Sequence, residues 1–156
     1  NRHMPALVDG DVPMWASMAI NLYLAKKYDK GLLPKTLADE CHAIKWSFWA
    51  MTEVEPHLLT VLMHRMFLPP DQRDPKAADA AIEKLTKPFA VLDAEMAERK
   101  YLVGDGYSVA DVNVASVLSW VALLKISAEK FPNLARWLDV CTSRPACKKA
   151  RGSAGA

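Results

Sequence analysis

From residue 37 onward, apolar residues recur three and four positions apart, and this spacing limits what the chain can become. Leu37, Cys41, Ile44, Phe48, Met51, Leu58 and Leu62 fall in register, with Glu55 inside the stripe and Met66 extending it. A 3.6-residue period gathers such positions on one helix face, whereas a strand would need alternation. The stretch predicts a helix roughly 45 Å long at 1.5 Å per residue. Pro56 should kink it, because proline has no N–H for the preceding turn. After the loop "LPPDQRDP", the pattern returns at Ala78, Ile82, Leu85, Phe89, Leu92 and Met96, with Pro88 as a second kink. "GDG" at 104–106 is a turn. Residues 108–125 are apolar nearly all round, which predicts a central buried helix. Leu134, Trp137, Leu138 and Cys141 mark a fourth helix, and Pro145 opens a short fifth. Residues 35–151 therefore predict an all-helical domain of about five helices, and "GSAGA" at 152–156 predicts a tail.

Residues 1–34 differ. Ala6–Val8 and Val12–Trp15 flank "DGD", a strong hairpin signal because glycine accepts positive φ without steric cost. Pro13 cannot donate to a ladder and belongs on an edge. A lone hairpin is marginal in water, so the first strand calls for another partner. Either further chain precedes Asn1 or another molecule supplies the pairing. Ser17 opens a helix running to about Tyr28, with Lys26 and Lys27 suiting its negative end and Gly31 its stop.

Bulk properties remove several functional classes. With 156 residues, 51% of them hydrophobic, 24% charged and a net charge of +2, the chain reads as an ordinary globule. It has no basic block for nucleic acid. Val112–Leu124 is too short to span a bilayer, and no signal peptide is visible, so a cytoplasmic protein with no membrane partner is expected. Cys41, Cys141 and Cys147 are odd in number and form no CxxC, which suits reduced, buried thiols. His57 and His64 have no carboxylates at useful spacing, so no metal is expected.

Some residues carry local chemistry. In "YSVADV", Ser108 and Asp111 form a capping box, with Tyr107 and Val112 placed as a hydrophobic staple. Its loss should cost about 1 kcal/mol. Ser17 is either a helix cap or, with free amides at a positive helix end, part of an anion site. Trp46, Trp49, Glu53 and His57 share a face away from the main stripe of the long helix. That face is either a pocket wall or an interface or second-layer core, and Glu53 and His57 are spaced for an i,i+4 salt link. Glu55 is either a partnered carboxylate at the Pro56 kink or a boundary residue.

Taken in order, three segments resemble cytosolic glutathione transferases. "MPALVDGD…WASMAINLYLA" is similar to the end of their thioredoxin-like half, "YLVGDGYSVADVNVA" to the buried capping box of their helical half, and "FPNLARWLDVCTSRPACKKA" to their C-terminal stretch. The resemblance implies a partial thioredoxin-like piece at 1–34, a hairpin plus helix lacking the first β-α-β unit, ahead of a helical C-terminal domain at 35–151. It implies glutathione as cosubstrate, a small electrophile or peroxide as second substrate, and a homodimer. Family members lower the pKa of the glutathione thiol, and the thiolate attacks the electrophile. Met4 and Pro5 fall at the family's cis-proline, whose preceding backbone receives the cysteinyl part of glutathione. Ser17 falls where a serine receives the γ-glutamyl carboxylate. Ala16 stands where the family usually has an acid for the glutathione amine, so one charge-assisted contact of about 1.5–3 kcal/mol is missing. The electrophile would lie between the halves, where Trp46, Trp49, Glu53 and His57 are candidates. The thiolate-stabilising residue would lie upstream of Asn1, so no catalytic residue is assigned. The alternative is a non-catalytic binding or assembly module on the same fold, and a third reading is a plain helical interaction domain.

Overall fold

Asp9 and Val12 face each other across a two-residue turn that only a flexible first position allows. The computed structural model describes residues 4–153. Strand β1 (Ala6–Asp9) pairs antiparallel with β2 (Val12–Trp15), Ala6 opposite Trp15 and Val8 opposite Pro13. Gly10 takes the turn with φ of 61°. Among the described residues the sheet has only these two strands. Helix α1 (Ser17–Tyr28) follows directly. Its stop comes earlier than Gly31: Asp29 adopts the left-handed conformation, φ 41°, and its amide donates to the Ala25 carbonyl at 3.2 Å. A short polar side chain tolerates that geometry.

The hairpin is fastened to α1 by one carboxylate. Asp9 accepts from the Lys27 ammonium and, at 3.1 Å, from the Tyr23 hydroxyl. The Lys27 hydrogen bond chiefly holds the Asp9 carboxyl below its ordinary value, with Tyr23 adding to it. A carboxyl whose pKa is depressed by folding contributes stability above its unfolded pKa and loses it as pH falls through the folded one. Amide exchange in residues 6–15 should therefore quicken relative to α1 as pH drops below about 4. Unchanged relative protection at low pH would show that packing, not Asp9, holds the hairpin.

The long helix is interrupted twice. Helix α2 (Leu37–Trp49) enters a π-helical turn at Ala50–Val54, continues as α3 (Glu55–Leu62), and ends in a second π-helical turn at Met63–Phe67. Pro56 falls in the first turn of α3, where its missing N–H is harmless. The bend expected at proline is absorbed by the wide turn, in which the Glu55 amide reaches back to the Ala50 carbonyl.

The helix expected over 78–96 is two, α4 (Pro75–Lys84) and α5 (Thr86–Glu95), divided at Leu85. Pro88 cannot bond the Lys84 carbonyl, so the break falls there. The central helix also divides, into α6 (Val109–Leu118) and α7 (Trp120–Leu123), followed by α8 (Pro132–Thr142) and α9 (Pro145–Ser153). Gly152 and Ser153, expected in a tail, belong to α9; residues 154–156 lie outside the described residues.

The core sits around α6, whose Val109, Ala110, Val114 and Leu118 are buried. Helices α5 and α8 cap each other. Phe131, preceding α8, has no capping side chain, and Asp93 on α5 accepts from the Asn133 and Leu134 amides at 2.8 and 3.0 Å. In return Arg136 donates to the Met96 carbonyl at 2.6 Å.

On α2 the expected core stripe is displaced. Leu37 and Cys41 are exposed, Phe48 is 67% exposed, and Ile44 and Met51 are only partly covered. The buried line is Ala43, Trp46, Ser47, Ala50 and Val54, joining Leu58 in α3. Small residues on that line let α2 approach α6 closely, while Ile44, Phe48 and Met51 stay partly or largely exposed.

Candidate functional site

The start of α1 is unusual. Ala16 precedes it with φ 71° and ψ 118°, a left-sided conformation costly for a residue with a Cβ. Ala16, not Ser17, is the cap residue, and it offers no side-chain cap. Ser17 is the first helical residue, exposed, and its hydroxyl has no protein partner among the described residues. The first intrahelical bond at this end runs from the Ile20 amide to the Ala16 carbonyl, 3.0 Å, which leaves the amides of Ser17, Met18 and Ala19 without a helical acceptor. An exposed hydroxyl, open amides and the positive helix end together suit an anion. The capping reading of Ser17 is thus replaced by an open one.

This helix end borders a cavity of about 490 Å³. Met4 and Pro5, joined by a cis peptide, line its mouth beside Trp15, Ala16 and Ser17. Leu22 and Met18 of α1 form one wall; Ile44, Ser47, Phe48 and Met51, together with Glu55, form the other. Ile44, Phe48 and Met51 of the displaced stripe therefore wall this cavity. Its size and apolar lining fall in the range of small-molecule sites. Ser47 is less available than Ser17, since its hydroxyl donates to the Ala43 carbonyl at 2.8 Å and accepts from Asn113 at 2.9 Å.

The aromatic face expected to line the electrophile pocket lies elsewhere. Trp46 is 4% exposed, packed edge-on against Trp49 at 5.1 Å between ring centres. Glu53 and His57 open onto a separate depression bordered by Glu83, Lys84 and Lys87. None of the four borders the cavity at Ser17. The physical reason is the shift of the buried line, which turns Trp46 inward, as in the second-layer core alternative for this face, and Phe48 outward. The Glu53–His57 salt link does not form; the Glu53 carboxylate instead accepts from Thr52 at 3.4 Å. Sequence reasoning missed Trp15, Ile44, Phe48 and Met51 as cavity residues. The readable signal was the small set Ala43, Ser47 and Ala50, which marks the side facing another helix.

Other reactive groups lie away from this site. A second cavity of about 480 Å³ between α6, α8 and α9 includes Tyr107, Cys141, Arg144 and Cys147. Burial pushes the Cys141 thiol up and the Tyr107 hydroxyl to about 12, the reverse of an activated nucleophile. Among the described residues, no group of three or more His, Cys, Asp or Glu could hold a metal ion, and no helix is long and apolar enough to cross a membrane.

The family model described as "Glutathione S-transferase, C-terminal domain" matches residues 36–145. The chain belongs to the glutathione S-transferase family. It is 35% identical to glutathione S-transferase GstB of Escherichia coli over 96% of its own length and 73% of that protein's. In structure it is similar to the Phanerochaete chrysosporium protein Ure2p5 cocrystallized with 1-(S-glutathionyl)-2,4-dinitrobenzene, with a TM-score of 0.88 at 26% identity over 97% of this chain and 72% of that one. Elongation factor 1-gamma of Prunus avium is 28% identical over 96% of this chain and 36% of its own length. A glutathione transferase-type helical domain preceded by a partial thioredoxin-like piece is therefore the architecture of this member of the family.

Proposed function

We propose that this chain forms most of a glutathione transferase in which glutathione is held at the start of α1 and its thiolate attacks a small electrophile or peroxide in the adjoining cavity. The observation that carries the reading is the exposed Ser17 hydroxyl beside the open first-turn amides, bordering an apolar cavity of about 490 Å³. In this reading Ser17 and those amides receive the γ-glutamyl carboxylate. The Met4 backbone beside Pro5 runs along the cysteinyl portion, and the wall of Ile44, Phe48 and Met51 takes the electrophile. The chemistry is nucleophilic and is carried by the cosubstrate. Ala16 offers no carboxylate to the glutathione amine, so binding rests more heavily on Ser17. No residue of this chain is assigned to stabilise the thiolate.

Ser17→Ala should weaken glutathione binding by about 1 kcal/mol or more, roughly fivefold in Kd, with stability little changed. Isothermal calorimetry on the chain, and on one extended by a thioredoxin-like first unit, measures this. Equal affinity of the variant and the parent would remove the anion-site assignment.

The second reading is a non-catalytic binding or assembly module. It is favoured by the absence of an acid at Ala16 and by the similarity to elongation factor 1-gamma. Turnover of 1-chloro-2,4-dinitrobenzene by the extended chain separates the two, since a module would bind without conjugating.

A further inference from the structure

Glu55 supplies the only ionisable side chain in the wall of the cavity at Ser17 among the described residues. It stands at the junction of the π-helical turn and α3, one residue before Pro56, with its backbone amide tied to the Ala50 carbonyl. The carboxylate is half-buried and makes no hydrogen bond or ion pair among the described residues. Its neighbours in the wall include Met51, Phe48 and Ile44, which cannot solvate a charge. Elsewhere this protein satisfies its buried polar atoms, and no buried side-chain nitrogen or oxygen among the described residues lacks a partner. The Glu55 carboxylate is not among those sealed atoms: it stays accessible, and it is the one charged group bordering an otherwise apolar chamber.

We propose that Glu55 is the specificity-determining residue of this chamber, selecting second substrates that carry a cationic or strongly hydrogen-bond-donating group and rejecting those that carry a carboxylate. The inference rests on the reading of this cavity as the electrophile chamber. A donor brought in by the ligand gives Glu55 the partner that the protein withholds, in surroundings where charge-assisted bonds are strong. An anion entering the same space meets a like charge against an apolar lining, which makes exclusion as important as attraction. Burial also raises the Glu55 carboxyl above its ordinary value, the direction expected of a charge awaiting a partner.

The test uses two flat aromatic probes of opposite charge, benzamidine and benzoate, titrated into the chain at neutral pH by NMR. Read from the shifts of Met51 and Glu55, benzamidine should bind about tenfold more tightly than benzoate; benzoate shifts confined to residues 17–19 report the first-turn amides and are fitted separately. Glu55→Gln should erase that preference, and Glu55→Lys should reverse it. Equal binding of the two probes, no binding of either, or a preference that survives Glu55→Gln would overturn the proposal. S-benzylglutathione is titrated in parallel. If it fails to bind while the charge preference holds, the glutathione reading falls and the Glu55 assignment stands. If it binds while the preference is absent, the reverse is true.

Discussion

Asp111→Ala should lower the unfolding free energy by about 3–5 kcal/mol, a large share of the 5–15 kcal/mol typical of a domain. The residue is fully buried, and its two oxygens collect four donors. Oδ1 accepts from the Leu102 amide at 3.0 Å and the Trp137 indole at 2.9 Å. Oδ2 accepts from the Ser108 amide at 3.0 Å and the Ser108 hydroxyl at 3.3 Å. Burial raises the carboxyl pKa, and these donors pull it back. Alanine would leave three N–H groups buried with no acceptor, each costing about 1–3 kcal/mol. The loss spans three regions at once: the loop before α6, the first turn of α6, and α8 through Trp137. Urea unfolding with an unchanged slope measures it. A shift below about 1 kcal/mol would mean that these donors find other partners. The figure exceeds the 1 kcal/mol read from the capping box alone because that box is only half of what Asp111 holds.

Asn113→Ala should cost about 2–3 kcal/mol and should loosen the N-terminal piece from the helical body. Asn113 is fully buried on α6. It accepts from the Asn21 amide on α1 at 2.8 Å and donates to Ser47 on α2 at 2.9 Å. One side chain thus joins the helix that carries Ser17 to the helix that walls the cavity. Truncation leaves the Asn21 amide group without its acceptor and opens a void between three helices. Hydrogen exchange should show lost protection in α1 before α8. Uniform loss across both would mean that Asn113 serves general packing and not this junction.

Legibility in the sequence tracked how local each cause was. The hairpin, the span of α1 and the Ser108–Asp111 box follow from neighbouring residues, and all three stand where the sequence puts them. The open state of Ser17 was half legible: a serine at a helix start was visible, but the positive φ of Ala16, which moves the cap back one residue, was not. The buried face of α2 differs from the one that apolar spacing predicts. Close approach to α6 instead selects Ala43, Ser47 and Ala50, leaving Ile44 and Phe48 for the cavity. The π-helical turns and the break at Ser119 have no clear signature in residue type. Trp137, distant in the chain, could not be joined to Asp111 by periodicity.

The separation of duties along α2 bears on how such a protein diversifies. Positions 43, 46, 50 and 54 are buried in the interior, whereas 44, 48 and 51 are exposed and border the chamber. Replacements at the second set reshape what the chamber admits while leaving the scaffold's stability almost untouched. The repertoire of molecules accepted can therefore drift along one strip of one helix, without compensating change elsewhere in the fold.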